Sequence, residues 1–564
     1  MSAPVERADA FRREPRWWRD AVVYQIYPRS YRDASGDGVG DLAGIASRLD
    51  HLVETGVDTL WVSPFYPSPM ADFGYDVADY TGVDPLFGTM ADFDALLEAT
   101  HARGLKLILD FVPNHSSDRH PWFVESAASR TSGKRDWYLW RDAGADGGPP
   151  TNWQSQAGGS AWEWHEVTGQ YYLHTFLAAQ PDLNWRNPAV REAMLGEMRF
   201  WFDKGVDGFR LDVVYHCIKD AEFRDDPPNP DHDPKTDPPF ASVLPTFSTD
   251  RPEIMPLVVE PMRALADACG NRLLIGEIYL PLERLVDYYG DTGEARARVA
   301  DGERPSAARA GVQLPFNFSL VFADWTADAL AALVRRYESL LPPDAWPNWV
   351  LGNHDQSRVV SRIGPERARL AAMLLLTLRG TPTIYQGDEI GMRDVEIPPD
   401  RVRDPWELNM PGLGEGRDPE RTPMRWTDEP GAGFCPADVE PWLPLGDGGE
   451  LPDVAGQLRA RDSMLELHRR LLALRRAHPA LALGDYTCIE TCGEVLLFAR
   501  EHGGERCTVA LNLGEEPAEA VLPEPGGETG PTVLVSTRPG RDGERLSSSM
   551  PLALDALEGV VLDR

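Results

Sequence analysis

Short runs of apolar and β-branched residues recur along most of the chain, and amphipathic stretches separate them. Val22–Tyr27, Thr59–Val62, Lys106–Phe111, Gly208–Asp212, Leu273–Ile278, Val312–Pro315, Trp349–Gly352 and Thr383–Gln386 predict strands. Asp92–His101 and Ala189–Lys204 place their apolar residues at helical spacing. Strand–helix alternation of this kind predicts parallel βαβ units, and eight of them predict a (β/α)8 TIM barrel of the α/β class. Three stretches interrupt the pattern. Residues 114–181, rich in Trp, Gly, Ser and His, read as a subdomain inserted after the third strand. Asp220–Arg251 contains RDDPPNPDHDPKTDPP, too rich in Pro and Asp for a core helix, and reads either as a surface loop or as a lid over the active face. A second irregular stretch follows Gln386. Near the C-terminus the runs VLLFAR, CTVALNL and TVLVST, separated by Gly and Pro, predict a small antiparallel β-sandwich. The expected domains are a barrel over 1–113 and 182–479, the insertion 114–181, and a C-terminal domain 480–564.

Composition narrows the partners. The chain has 564 residues, with 42% hydrophobic and 26% charged, which excludes wholesale disorder. Its 89 acidic residues outnumber 56 basic ones, for a net charge of −33. Such a surface repels nucleic acid and anionic membranes and leaves a neutral substrate unaffected. Six cysteines are scattered without a CxxC pair, so neither a disulfide framework nor a zinc cluster is expected. The first twenty residues lack the apolar run of a signal peptide, and no stretch of 18 apolar residues occurs. The expectation is a cytoplasmic protein, monomer or homodimer, with no membrane contact.

In a (β/α)8 barrel the reactive groups come from the C-terminal ends of the strands. Those ends carry Asp110 with Asn114 and His115, Arg210 with Asp212, Glu277, and His354 with Asp355. A single Asp there is ordinarily a helix cap. Four carboxylates on one mouth, beside an Arg and two His, suggest work as acid, base or nucleophile. Without a nucleotide loop or a metal cluster, that chemistry suits glycosidic bond cleavage, where one acid must be protonated and another ionised.

GFRLD (Gly208–Asp212), GE (Gly276–Glu277), NHD (Asn353–Asp355) and DFVPNH (Asp110–His115) resemble the four signature regions of the α-amylase family of glycoside hydrolases. QIYPRSY (Gln25–Tyr31), QPDLNW (Gln180–Trp185) and RTPMRW (Arg421–Trp426) resemble its exo-acting α-glucosidase and oligo-1,6-glucosidase branch. The resemblance implies a retaining exo-α-glucosidase acting on short, neutral α-glucoside oligosaccharides, with some transglucosylation. It implies Asp212 as nucleophile, Glu277 as general acid/base and Asp355 as stabiliser of the distorted sugar. Arg210 would hold Asp212 ionised, and Asp110 is left as a structural acid. His115 and His354 would bond sugar hydroxyls. Asp76 would bind the non-reducing end beside Tyr75 as a stacking platform. Either Arg417 or Arg421, with Arg421 favoured, would pair with Asp76 and close the pocket.

The first βα loop matches the opening of a calcium pattern, with oxygen donors at alternate positions on Asp33, Ser35, Asp37, Val39 and Asp41. Gly44 stands where an EF-hand needs its final glutamate, so that motif is excluded. The resemblance implies a structural ion in this loop, expected to be calcium with magnesium as the alternative; a turn without an ion is the competing reading. Val213, after the nucleophile, resembles enzymes that accept α-1,6 links, but Val214, Tyr215 and His216 depart from that pattern. His216 is instead similar to the His of endo-amylases at that spacing, without the Lys that precedes it there. A glucosyl-transferring isomerase of the sucrose isomerase or trehalose synthase type shares the same carboxylates. The chain carries no RLDRD-type motif after Asp355. A non-catalytic family member would have lost acids that this chain keeps.

Overall fold

The computed structural model describes residues 16–290, 310–446, 451–522, 530–547 and 550–563. The N-terminal stretch read for a targeting signal lies, up to residue 15, outside them. Eight parallel strands form the barrel: β1 (Val23–Ile26), β2 (Thr59–Val62), β3 (Lys106–Phe111), β7 (Gly208–Leu211), β8 (Leu273–Glu277), β9 (Leu314–Phe316), β10 (Asn348–Val350) and β11 (Thr381–Tyr385). They run in the order β10-β11-β1-β2-β3-β7-β8-β9, and a parallel bridge from Asn317 to Trp349 closes the ring.

Strand periodicity decides which side chains meet inside. Alternate residues face opposite sides, so Val23, Trp61, Ile108, Leu273, Ile275, Leu314, Phe316 and Val350 fill the interior. Their neighbours Tyr24, Leu60, Leu109, Phe209, Leu211 and Leu274 pack outward against the helices. The same parity carries Asp110, Arg210, Asp212 and Glu277 inward at the upper rim. Each fully buried Leu or Ile contributes about 1.5–3 kcal/mol, so polar groups on this face need partners to offset their desolvation.

Several strand limits differ from expectation. β9 starts at Leu314 rather than Val312, because the Gln313 side chain accepts from the Leu274 amide and donates to the Arg272 carbonyl. It therefore braces the lower edge of β8 ahead of the ladder. β10 ends two residues early, at Val350. β11 starts two residues early, at Thr381, its onset concealed by Pro382, a residue that argues against a strand.

Between β3 and β7 the chain forms a separate antiparallel sheet of β4 (Trp140–Arg141), β5 (Trp162–His165) and β6 (Gln170–Leu173), in the order β4-β6-β5. It leaves and rejoins the barrel side by side, His115 bridging to Asp182 and Tyr138 to Leu183. The segment 220–251 contains one short 3-10 turn, Pro239–Ser242, and brings Phe240 edge-on to Trp406 at 6.3 Å. The C-terminal part pairs a five-stranded antiparallel sheet with a two-stranded one around a core of Val495, Leu497, Ala510, Leu552, Val560 and Leu562. Its seam with the barrel is sealed by two buried arginines. Arg475 donates to the carbonyls of Leu376 and Gly380, and Arg500 to those of Thr377 and Gly484. No described helix is long and apolar enough to cross a membrane, and all six cysteines are free thiols.

Candidate active site

Arg210 is the hub of the barrel mouth. Its Nη1 donates to Asp110 Oδ1 at 2.8 Å and to Asp212 Oδ1 at 2.7 Å, while Nη2 lies 2.5 Å from Glu277 Oε1. All four side chains are buried. Asp110 is further held by the Trp61 indole and the Tyr75 hydroxyl, each donating to Oδ2 at 3.1 Å. With both oxygens engaged by protein, Asp110 braces the site from below.

One guanidinium cannot neutralise three carboxylates. Burial pushes Asp110 and Asp212 up, Asp212 well above the carboxylate range, and Arg210 opposes the shift in both. Burial likewise pushes Glu277 up to about 7, opposed by Arg210 and reinforced by the charge of Asp355. The Val213 amide donates to Glu277 Oε2 at 3.0 Å. To do so Val213 adopts φ 35° and ψ 42°, left-handed backbone that strains a β-branched residue by about 1–3 kcal/mol.

Asp355 faces the first group across the mouth. Its Oδ1 accepts from Arg421 Nη2 at 2.6 Å and Arg417 Nη1 at 3.2 Å, and its Oδ2 lies 3.3 Å from His354 Nε2. Burial opposes ionisation there but is outweighed by His354, Arg421, Arg417 and Arg210, which hold the carboxyl well below its ordinary range. Burial also keeps His354 neutral, so the arginines carry that charge.

A cavity of about 310 Å³ opens over these acids, and Asp212, Glu277 and Asp355 all line it. Tyr75, His115 and Arg417 line it as well. Three expected contacts fall elsewhere. Asp76 does not reach the cavity: its carboxylate accepts from Ser68 Oγ and from the Ala71 and Asp72 amides, which folds it into its own loop. The acid that faces the cavity is Asp72, four residues earlier. Its partner is Arg417, at 2.8 Å, not Arg421. Arg417 is oriented by Asp404, which accepts from its Nε and Nη2 at 3.0 and 2.7 Å. Arg421 and Arg210 are buried behind the acids and do not line the cavity. Nor does His354, whose ring is covered by Tyr27 on one contact and Tyr75 on another, each with centroids 5.3 Å apart.

His115 lines the cavity. Burial lowers its pKa to about 4, so it is neutral, with Nε2 3.1 Å from Gln180 Nε2. Gln180 ties it to Asp72 through a bond of 3.1 Å. His216, which departed from the branch pattern, also lines the cavity, its Nδ1 buried without a partner. Sequence reasoning passed over Asp72, Gln180 and the aromatic rim of Tyr215, Tyr279, Phe240, Phe322 and Trp406. ADFGYD offers two acids, and nothing in the string says which turns inward. QPDLNW contains Gln180, but nothing in the motif marks it as a contact.

In the first βα loop the carboxylates are satisfied by their own turn. Asp33 accepts from the amides of Gly36 and Gly38, Asp41 from those of Ala34, Ser35 and Gly44, and Asp37 from that of Val39. The donor set is all oxygen, as a hard cation requires, but the three acids do not close into a common cage. Among the described residues the one trio with ligand atoms within 4.8 Å of one another is His478, Glu505 and Cys507.

Comparison with known proteins gives the family. Residues 25–484 match the α-amylase catalytic domain. A probable α-glucosidase of Rhizobium meliloti strain 1021 is 42% identical over 519 residues, spanning 90% of this chain and 91% of its own. An oligo-1,6-glucosidase of Parageobacillus thermoglucosidasius is 37% identical over 546 residues, spanning 90% and 92%. Among solved structures, an α-glucosyl transfer enzyme superposes with a TM-score of 0.87 at 40% identity, covering 97% of this chain and 99% of its own. The trehalulose synthase of Pseudomonas mesoacidophila MX-45 does so with 0.84 at 32%, again covering 97% and 99%.

Proposed function

From the premise that the chain belongs to the α-amylase family of glycoside hydrolases, we propose that it is a retaining exo-α-glucosidase that releases α-glucose from the non-reducing end of short α-glucosides. The observation that carries the exo reading is Arg417 bridging Asp72 and Asp355, which walls off the cavity just beyond the acids. On this reading a sugar chain enters by its end.

Asp212 is the nucleophile and Glu277 the acid/base. Their capture by the two Nη atoms of one guanidinium supports the short spacing, roughly 5–5.5 Å, of a retaining mechanism. Asp212 and Glu277 are buried on one guanidinium and compete for a proton; in the reactive form it sits on Glu277, and Asp212 is ionised against Arg210 Nη1. Asp212 attacks the anomeric carbon; the glycosidic C–O bond breaks, and its oxygen takes the Glu277 proton. Glu277, now ionised, removes a proton from water; that water attacks the anomeric carbon and frees Asp212. Asp355, kept ionised by its arginines, stabilises the positive charge on the sugar in both steps.

The aromatic rim supports a competing second step, because Tyr279, Phe240, Phe322 and Trp406 favour a bound sugar over water. Some transglucosylation belongs to the reading, and isomerisation is its limiting form. A calcium ion in the Asp33–Asp41 loop, with magnesium as the alternative, also belongs to it; its support is the all-oxygen donor set, and its role is structural. The reading places the chain in the cytoplasm, as a monomer or homodimer, in keeping with six free thiols.

Proton NMR of maltose and isomaltose digests tests it. Early α-glucose supports a retaining exo-glucosidase. Early β-glucose, or conversion to another disaccharide with little free glucose, overturns it.

A further inference from the structure

A second cavity, of about 340 Å³, lies where the inserted subdomain meets the segment after β7, and it shares no lining residue with the active site. Five basic side chains reach it: Arg130, Arg135, Arg141, Arg186 and Lys219. Three of them are paired with acids outside the cavity, Arg130 with Asp142, Arg186 with Glu253 and Lys219 with Asp182. Two acids stand on its wall: Asp220 is held by Arg224 at 2.6 Å, and the exposed Asp136 accepts from Asn184 and acts on Arg141 by its charge without forming an ion pair.

Arg135 and Arg141 differ from the rest. Arg135 donates only to neutral oxygens, those of Ser126, Thr168 and Gln170, and its buried Nε has no partner. Arg141 places one donor, on the Trp140 carbonyl. Among the described residues neither forms an ion pair. Their guanidinium carbons stand over the Trp140 and Phe223 rings, at 3.5 and 3.6 Å, which fixes their orientation. In a chain with 89 acids for 56 bases, two partly buried cations outside any ion pair, with only the charge of the exposed Asp136 acting on Arg141, are out of keeping with their surroundings. Desolvating a cation costs free energy that a counter-ion recovers, and an oriented guanidinium presents the fork that phosphate oxygens fit.

We infer that this cavity binds a small phosphate-bearing anion between Arg135 and Arg141. Two guanidinium charges match a phosphate dianion at neutral pH, and the volume falls within the range of small-ligand sites, roughly 300–1,000 Å³. Inorganic phosphate and a hexose phosphate share this chemistry.

Titration calorimetry at fixed ionic strength tests the site with inorganic phosphate, glucose 6-phosphate and gluconate. Saturable phosphate binding is expected, weakened at least about tenfold in Arg141→Gln and in Arg135→Gln and partly kept in Arg141→Lys. Maltose hydrolysis by Arg141→Gln is expected unchanged, which also reports on its fold. Asp212→Asn should bind phosphate as the unaltered protein does. Tighter binding of glucose 6-phosphate assigns a sugar phosphate; equal affinity assigns the phosphate group alone. No saturable binding, undiminished binding in Arg141→Gln, equal binding of gluconate, or loss of binding in Asp212→Asn would each overturn the site.

Discussion

Asp72 and Arg417, 345 positions apart in the chain, meet side chain to side chain at 2.8 Å over the catalytic acids. Neither residue is placed by its own loop alone. Asp72 is held by Gln180, from the return of the inserted subdomain, and Arg417 by Asp404, from the irregular stretch after β11. The wall of the pocket is thus assembled from three insertions into the barrel, and the barrel supplies the acids beneath it.

Asp72 and Asp76 should separate cleanly on substitution. Asp72→Asn removes a charge-assisted contact of about 1.5–3 kcal/mol, so kcat/KM on maltose should fall roughly tenfold to a hundredfold with little change in Tm. Asp76→Ala strands the buried Asp72 amide and the half-buried Ala71 amide and should lower stability by about 1–3 kcal/mol, while the folded fraction keeps its kcat/KM. Steady-state kinetics with thermal melts decide; an inactive but stable Asp76→Ala would restore Asp76 as the substrate contact.

The acid role of Glu277 fixes the alkaline limb of the rate profile. A general acid must be protonated, so kcat/KM should fall as pH rises through about 7. Glu277→Gln should lower kcat on maltose by roughly 10²- to 10⁴-fold and abolish that limb. A limb that persists in the variant belongs to another group.

The same shift has a stability consequence. A carboxyl raised from 4.5 to about 7 on folding contributes stability below pH 4.5 that is lost as pH rises through 7. Glu277→Gln carries no such penalty. Its denaturant midpoint should gain on the unaltered protein between pH 4.5 and 7, by up to about 3 kcal/mol at 1.36 per pH unit, and level off above. A gap independent of pH would show that the shift is absent.

Val213 lines the cavity and aims its amide at Glu277. Val213→Thr exchanges a methyl for a hydroxyl and should shift the ratio of isomaltose to maltose hydrolysis. Parallel kcat/KM values on the two sugars check it, and an unchanged ratio removes Val213 from linkage selection.

If the Asp33–Asp41 loop holds calcium, the ion stabilises the folded chain by mass action, about 2.7 kcal/mol at a hundred times its Kd. Tm should drop on chelation, recover with calcium more than with magnesium, and lose that response in Asp37→Ala. A Tm indifferent to chelator would leave the loop as the hydrogen-bonded turn its amides describe.

Period-two alternation and the polar strand ends made the barrel and its acids legible in the sequence. β3 reads KLILDF, and the register that buries Ile108 in the interior necessarily carries Asp110 to the same face. Register is a local property of a strand, so Asp212 and Glu277 followed from the string, as did the family. The contacts that close the pocket did not. Asp72 and Asp76 differ only in which amides their loop offers, and Arg417 and Arg421, which share Asp355, only in which of them the fold also sets opposite Asp72. Which basic side chains come to line the second cavity is decided in the same way. Side-chain periodicity is written residue by residue, whereas partner choice across hundreds of positions depends on where packed insertions come to rest, and only the tertiary structure decides that.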